Sequence, residues 1–125
     1  MLGDSEAIAT IAVKDLTVAR KFYEEVLGLE IARATGSEAL TFKTGRSELI
    51  VYRSQYAGSN KATAVNWRVG QEIESIVSAL AAKGVAFEHY DMPGLTQKGD
   101  VHAFGEFKSA WFKDPDGNII ALMSF

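Results

Sequence analysis

The chain of 125 residues has no cysteine, which excludes disulfides, zinc knuckles, iron–sulfur clusters and thiol catalysis. It has two prolines, two histidines and no surplus of positive charge: 13 Lys and Arg face 16 Asp and Glu, for a formal net charge of −3. A nucleic-acid groove needs clustered positive charge to meet phosphates, so this balance argues against a nucleic-acid partner. No apolar run approaches the ~20 residues that span a bilayer, so no membrane partner is expected. Met1 to Glu6 carries Asp4 and Glu6 where a secretory leader has a basic region. Walker, GxGxxG, HExxH and GxSxG motifs are all missing. Asp114, Asp116 and Asn118 imitate the start of a calcium loop, but Ile119 and Phe125 stand where glycine and a bidentate glutamate belong. What is present, 47% hydrophobic and 23% charged residues, is the balance of an ordinary soluble globule able to build a core unaided. The expectation is a cytoplasmic single domain whose chemistry rests on histidines, carboxylates, hydroxyls or a borrowed cofactor.

Periodicity gives the elements. Residues 8–13 read as a short buried strand, and Asp15 as a helix N-cap. Leu16, Ala19, Phe22, Tyr23 and Val26 then fall at helical spacing, and Gly28 ends that helix. Leu29–Arg33, Leu40–Lys43 and Glu48–Arg53 read as strands separated by Thr35-Gly36-Ser37 and Thr44-Gly45-Arg46. The same grammar returns as strand Thr63–Val69, helix Gln71–Lys83 ended by Gly84, strand Val85–Tyr90, and strands Ser109–Lys113 and Asn118–Ser124 around the turn Asp114-Pro115-Asp116-Gly117. Between them, Met92–Lys108 reads as a long loop of the kind that serves as a lid or binding loop. The chain is therefore expected to be one domain of two modules, about 7–55 and 62–125, joined near 56–61. Repeats of this kind usually place a site between the halves.

The run Val13-Lys14-Asp15-Leu16, then Phe22-Tyr23, then Val26-Leu27-Gly28-Leu29, resembles the opening of the vicinal oxygen chelate superfamily, the glyoxalase, bleomycin-resistance and extradiol-dioxygenase group. Gly84-Val85-Ala86-Phe87 and Trp111-Phe112-Lys113-Asp114-Pro115-Asp116-Gly117-Asn118 resemble its second-half signatures. The resemblance implies an α+β fold of two βαβββ modules whose curved mixed sheets form a cup, and a homodimer. It also implies four divalent-metal ligands, histidines and carboxylates on the first and last strands of each module. Carried over one at a time, those positions are Ile8, Leu49 or Val51, Ala64 and Ala121, all apolar. Divalent cations need oxygen or nitrogen ligands, so neither the family's metal nor another cofactor is expected.

Alternation turns Ile8, Thr10 and Ala12, then Ala64, Asn66 and Arg68, then Ile119, Ala121 and Met123 toward the cup. The candidate ligand-binding residues are Thr10, Tyr52, Asn66, Arg68, Trp111, Ala121 and Met123: apolar surface with a few polar anchors, as small-molecule sites have. Arg68 would hold an anionic or carbonyl group, or else pair with a neighbouring carboxylate. His89 is the candidate catalytic acid–base, with Glu88 or Asp91 fixing its tautomer; otherwise it is a strand-end histidine bonded to backbone. His89, Asp91, His102 and Glu106 form an alternative metal set. The leading expectation is a metal-independent binder of a small organic molecule, a drug or toxic metabolite. The alternative is a lyase, isomerase or dioxygenase-like enzyme working at His89 or the 92–108 loop, and a partner-binding subunit with no ligand is a third.

Overall fold

Alternating apolar residues along a strand and a helix behind it organise each half of the chain. A computed structural model describes residues 1–125 and divides them into two compact units, Met1–Ser59 and Asn60–Phe125. The architecture is α+β, with one mixed sheet in each unit. No helix is long and apolar enough to cross a membrane.

The first unit runs β1 (Ala9–Val13), α1 (Leu16–Arg20), a π-helical stretch (Lys21–Val26), β2 (Glu30–Thr35), β3 (Ala39–Thr44) and β4 (Ser47–Arg53). Its sheet has the order β1-β4-β3-β2, with β1 parallel to β4 and the other pairs antiparallel. The Asp15 carboxylate accepts from the backbone N–H groups of Thr17 and Val18 at 2.8 and 3.2 Å, which satisfies two of the orphan donors that open α1. The helix expected over 16–26 changes character half-way, and the Leu27 N–H closes on the Phe22 carbonyl. An apolar stripe reports which residues are buried, not whether bonds close four or five residues back, so the sequence does not distinguish the two. Tyr23 lies on this wider stretch, fully buried, with its ring 5.9 Å from that of Phe42. Gly28, with φ of 75°, adopts the left-handed conformation that ends the helix. Ile11, Val13, Leu40, Phe42, Leu49 and Val51 complete the core on the α1 side of the sheet.

The second unit runs β5 (Thr63–Arg68), a 3₁₀ turn (Gly70–Glu72), α2 (Ile73–Ala82), β6 (Phe87–Glu88), β7 (Thr96–Lys98), β8 (Val101–Phe104), β9 (Phe107–Lys113) and β10 (Ile119–Met123). The sheet order is β5-β10-β9-β8-β7, and β6 pairs separately with β9. Ile73, Val77 and Leu80 of α2 are buried, as are Ala110, Phe112, Ile120 and Leu122 of the sheet.

Two expectations need correction here. The strand expected over 85–90 is only Phe87–Glu88, and the loop expected over 92–108 contains β7, β8 and the start of β9. The reason is shared pairing. β6 takes Phe112 and Trp111 on one edge of β9, and β8 takes Ser109 to Phe107 further along the same edge. The second unit's counterpart of β2 is thus split in two, with residues 89–100 as an excursion between the pieces.

Asp114 is nearly buried in the β9–β10 turn. It accepts from the backbone N–H groups of Asp116 and Asn118, both at 2.9 Å, and from the Asn118 side chain at 2.8 Å. The apparent calcium-loop residues therefore close a hairpin.

Candidate functional site

Cross-strand partners point to the same side of a sheet, so the register assigns each side chain a face. In the second unit Asn66, Ala121, Trp111 and Glu88 stand in one row across β5, β10, β9 and β6. Arg68, Met123, Ser109 and His102 form the next row across β5, β10, β9 and β8. Both rows lie on the face turned away from α2. The structure therefore brings five of the seven expected ligand-binding residues, Asn66, Arg68, Trp111, Ala121 and Met123, onto one surface. Thr10 and Tyr52 belong to the first unit, on the face turned away from α1, where β1–β4 pairing sets Thr10 beside Ile50 and Ala12 beside Tyr52. The Thr10 hydroxyl donates to the Ile8 carbonyl at 3.2 Å.

Arg68 has no carboxylate partner. Its guanidinium carbon lies 5.4 Å from the centroid of the Phe125 ring, and that ring stacks on Phe107 at 5.4 Å. Of the two alternatives for Arg68, the paired one is absent from the structure. Such a cation, held over an aromatic face and otherwise unneutralised, retains its attraction for an incoming anion.

The splice between β6 and β8 holds the histidines. His89 Nε2 and Asp100 Oδ1 are 2.7 Å apart, so the partner of His89 is neither of the expected carboxylates. Glu88 instead pairs with Lys113 at 3.1 Å. Asp100 is distant in sequence from His89 and reaches it only because β8 returns along β9. His102, expected in an open loop, is fully buried. Its Nε2 accepts from the Tyr90 backbone N–H at 3.0 Å, which places the ring proton on Nδ1, and Nδ1 is buried without a hydrogen-bond partner. Burial first, and the nearby His89 second, push the His102 pKa below the ordinary 6.5, while Asp100 pulls the other way. The ring is neutral near pH 7 and packs edge-to-face on Trp111 at 5.0 Å, and Trp111 meets Tyr90 at 5.2 Å. Chemically the face offers one unneutralised cation and aromatic walls, with a histidine–aspartate dyad and a buried, neutral imidazole at its β8 edge. Tyr90, Asp100, Ser109 and Phe125 were not among the expected site residues. The one sequence signal for the return strand is Val101–Phe104 between Gly99 and Gly105.

The first unit contains an open groove of about 610 Å³ passing Lys14, Asp15, Arg20 and Arg53. Arg53 pairs with Glu38 at 2.8 Å and Arg20 with Glu24 at 3.3 Å, so both arginines are neutralised. On the face away from α1, Arg33 holds Glu48 by two bonds of 3.0 and 2.8 Å. That contact lowers the Glu48 pKa chiefly by hydrogen bonding and raises that of Arg33.

Residues 7–122 match the sequence model of the Glyoxalase/Bleomycin resistance protein/Dioxygenase superfamily. The chain belongs to this superfamily. Solved structures agree on the fold. A glyoxalase family protein from Enterococcus faecalis superposes with a TM-score of 0.73 at 23% identity, covering 98% of this chain and 99% of that one. A lactoylglutathione lyase from Agrobacterium tumefaciens gives 0.72 at 18% identity, covering 98% and 95%. A fosfomycin resistance protein variant from Listeria monocytogenes, complexed with Mn(II) and a dihydroxypropylphosphonic acid, gives 0.69 at 18% identity, covering 99% and 91%.

The superfamily's metal can be tested against the residues present. Ile8 lies just before β1 and is exposed, Ala64 is exposed on β5, and Ala121 is buried on β10. Leu49 and Val51, taken from the resemblance as the second ligand position, are buried on the α1 side with Ile11; the residues beside Thr10 and Ala12 are Ile50 and Tyr52. The facing changes, but apart from the Tyr52 phenol none of these side chains is a donor. The alternative set also fails, since no three His, Asp or Glu side chains converge as a metal ion requires. The residues present do not fit the superfamily's ion.

Proposed function

We propose that this superfamily member binds a small organic anion on the face of the second unit turned away from α2, without the metal its metal-dependent relatives use. One observation carries the reading: Arg68 lies free of any carboxylate on a surface shared with Asn66, Ala121, Met123 and Trp111. Met123 and Trp111 supply contact area, Asn66 supplies hydrogen bonds, and Arg68 selects for negative charge; Ala121 is buried and only keeps that part of the face small. Thr10 and Tyr52 are not needed for this reading, which rests on the second unit alone.

A thermal-shift screen of aromatic and aliphatic carboxylates, phosphonates and their neutral esters tests it. A true ligand at 100 times its Kd adds about 2.7 kcal/mol of stability. The expected result is a shift with anions that fades with the matching esters and is largely lost in Arg68→Ala. Equal shifts with acid and ester, or an unchanged response in Arg68→Ala, would overturn it. Stoichiometric tightly bound metal in protein purified without chelator would overturn the metal-independent part.

The His89–Asp100 dyad favours a second reading, an enzyme acting on such an anion. With Nε2 held by Asp100, the His89 Nδ1 is the nitrogen left to exchange a proton with a ligand. Turnover of a screened ligand that is abolished by His89→Gln, with binding retained, would establish this reading over simple sequestration.

A further inference from the structure

Every buried side-chain polar atom finds a hydrogen-bond partner except His102 Nδ1. Folds normally avoid such an orphan, because a donor taken out of water without an acceptor carries its full desolvation cost. Nothing in the ring's position is accidental. Its Nε2 is fixed by the Tyr90 N–H, its edge by Trp111, and its strand by pairing of His102 with Ser109. The excursion over 89–100 is closed around it by the His89–Asp100 bond and by Phe104, whose ring lies so near Gly94 that a Cβ there would come within 2.8 Å. Gly94 also has a positive φ of 79°, so the position requires glycine on both counts.

His102 shares its row with Arg68. The outer strands of that row, β5 and β8, are three strand spacings or roughly 14 Å apart. The Arg68 guanidinium lies beside Phe125, which stacks on Phe107 of β9, so its charge leans toward β8 and the remaining span is on the order of 10 Å.

We propose that the His102 Nδ1–H donates to an oxygen acceptor at the far end of the anion held by Arg68. The ligand class is then a flat, elongated organic anion with a hydroxyl or carbonyl oxygen on the order of 10 Å from its charged group. His102 is buried against the rings of Tyr90 and Trp111, at 6.4 and 5.0 Å, so the proposal requires one of these rings to move for the oxygen to reach Nδ1. This inference rests on the Arg68 reading above and adds to it the orientation and chemistry of the ligand's other end. The neutral state of the ring supports it, since a neutral imidazole locked in one tautomer is a donor of fixed direction.

Two probes differing by a single oxygen test it: 2-naphthoate and 6-hydroxy-2-naphthoate, measured by calorimetry. The wild-type protein should bind the hydroxylated compound about three- to tenfold more tightly. Arg68→Ala should weaken both together. His102→Phe should erase the preference while leaving the affinity for 2-naphthoate, and His102→Gln, whose amide both accepts and donates, should restore part of it. Should His102→Phe fail to fold, ¹⁵N-imidazole NMR of the wild-type protein still decides. The proton should be on Nδ1, and its resonance should move with the hydroxylated probe only. A preference that survives His102→Phe overturns the inference. So does an Nδ1 resonance indifferent to both probes, which would assign the group to an internal water. Equal binding of the two probes with Arg68 dependence intact removes the His102 inference alone. Binding of neither, or binding without Arg68 dependence, removes the Arg68 reading beneath it.

Discussion

The two units are built from one plan and differ at one edge. In the first, β2 pairs with β3 from Glu30 to Thr35, with one irregularity between Ile31 and Arg33, and the face away from the helix carries charges already matched, Arg33 with Glu48. In the second, the equivalent edge of β9 is shared by β6 and β8; the gap between them contains His89, Tyr90 and Asp100, and His102 stands on β8 beside it. The same face there carries an arginine with no carboxylate and an imidazole with no acceptor. Breaking a strand in two frees backbone to carry side chains that a continuous ladder would hold at fixed two-residue spacing. The lesson is local. The helix-facing side of each unit is devoted to stability, and the second unit's other face departs from that plan where a ligand would bind.

If that division is right, the helix-facing cores should be equivalent. Phe42 and Phe112 are both fully buried, one in each unit. Phe42→Ala and Phe112→Ala should each cost about 3–5 kcal/mol, from lost transfer energy and the cavity left behind. Urea unfolding followed by circular dichroism measures this. A cost below about 1 kcal/mol at one position and a full cost at the other would break the symmetry of the comparison.

The next effect belongs to the second unit alone. The His102 pKa is lowered in the folded state by burial and by His89, whereas in the unfolded chain it returns to about 6.5. Above that value both states are neutral and His102 does not affect the pH dependence. As the pH falls from 6.5 toward the lowered folded pKa, the unfolded state takes up the proton first and stability declines. His102→Gln should flatten the stability profile just below pH 6.5, whereas a substitution in the first unit such as Tyr52→Phe should not. An unchanged slope in His102→Gln would show that the ring is not held neutral.

That histidine also marks the limit of what was legible in advance. The first unit reads almost completely from periodicity, because β1, β3 and β4 are each paired along their length and α1 has its cap at Asp15. Alternation along β5 and β10 is likewise enough to set Asn66, Arg68, Ala121 and Met123 on one face. The split edge is hidden for physical reasons. Phe87–Glu88 is too short to show a period, and Thr96, Gln97 and Lys98 are all exposed, so β7 has no apolar face. With β8 unseen, Asp100 had no reason to be near His89, and the nearer carboxylates Glu88 and Asp91 looked sufficient. The same blindness affects facing in the first unit, where Leu49 and Val51 alternate as expected but only the register with Ile11 shows which side they occupy.

A smaller effect should come from the latch on the excursion. His89 and Asp100 are both partly exposed, so their contact contributes under about 1 kcal/mol to global stability. Its influence should be local. In Asp100→Ala, amide hydrogen exchange should quicken across 89–100 while β9 and β10 keep the wild-type rates, since a low-stability segment opens without unfolding the core that carries it. Uniform protection across both segments in the variant would mean that Tyr90 and Phe104 hold the excursion without the latch.

The smallest expected effect is the control on the other side of the comparison. Arg33 and Glu48 form a well-aligned bidentate pair, yet the pair lies in solvent, where salt screens its attraction and side-chain entropy offsets much of it. Arg33→Ala should change the unfolding midpoint only slightly at low salt and not detectably at 1 M, and it should leave the affinity for an anionic probe untouched. Arg68→Ala should do the reverse: little change in stability, since the guanidinium has no carboxylate to lose, and a marked loss of anion affinity. If both arginine variants lost affinity alike, net charge rather than position would attract the ligand, and the contrast between a matched face and an unmatched one would fail. If only Arg68→Ala loses it, one unpaired cation beside Phe125 is enough to distinguish the two faces of a repeated fold.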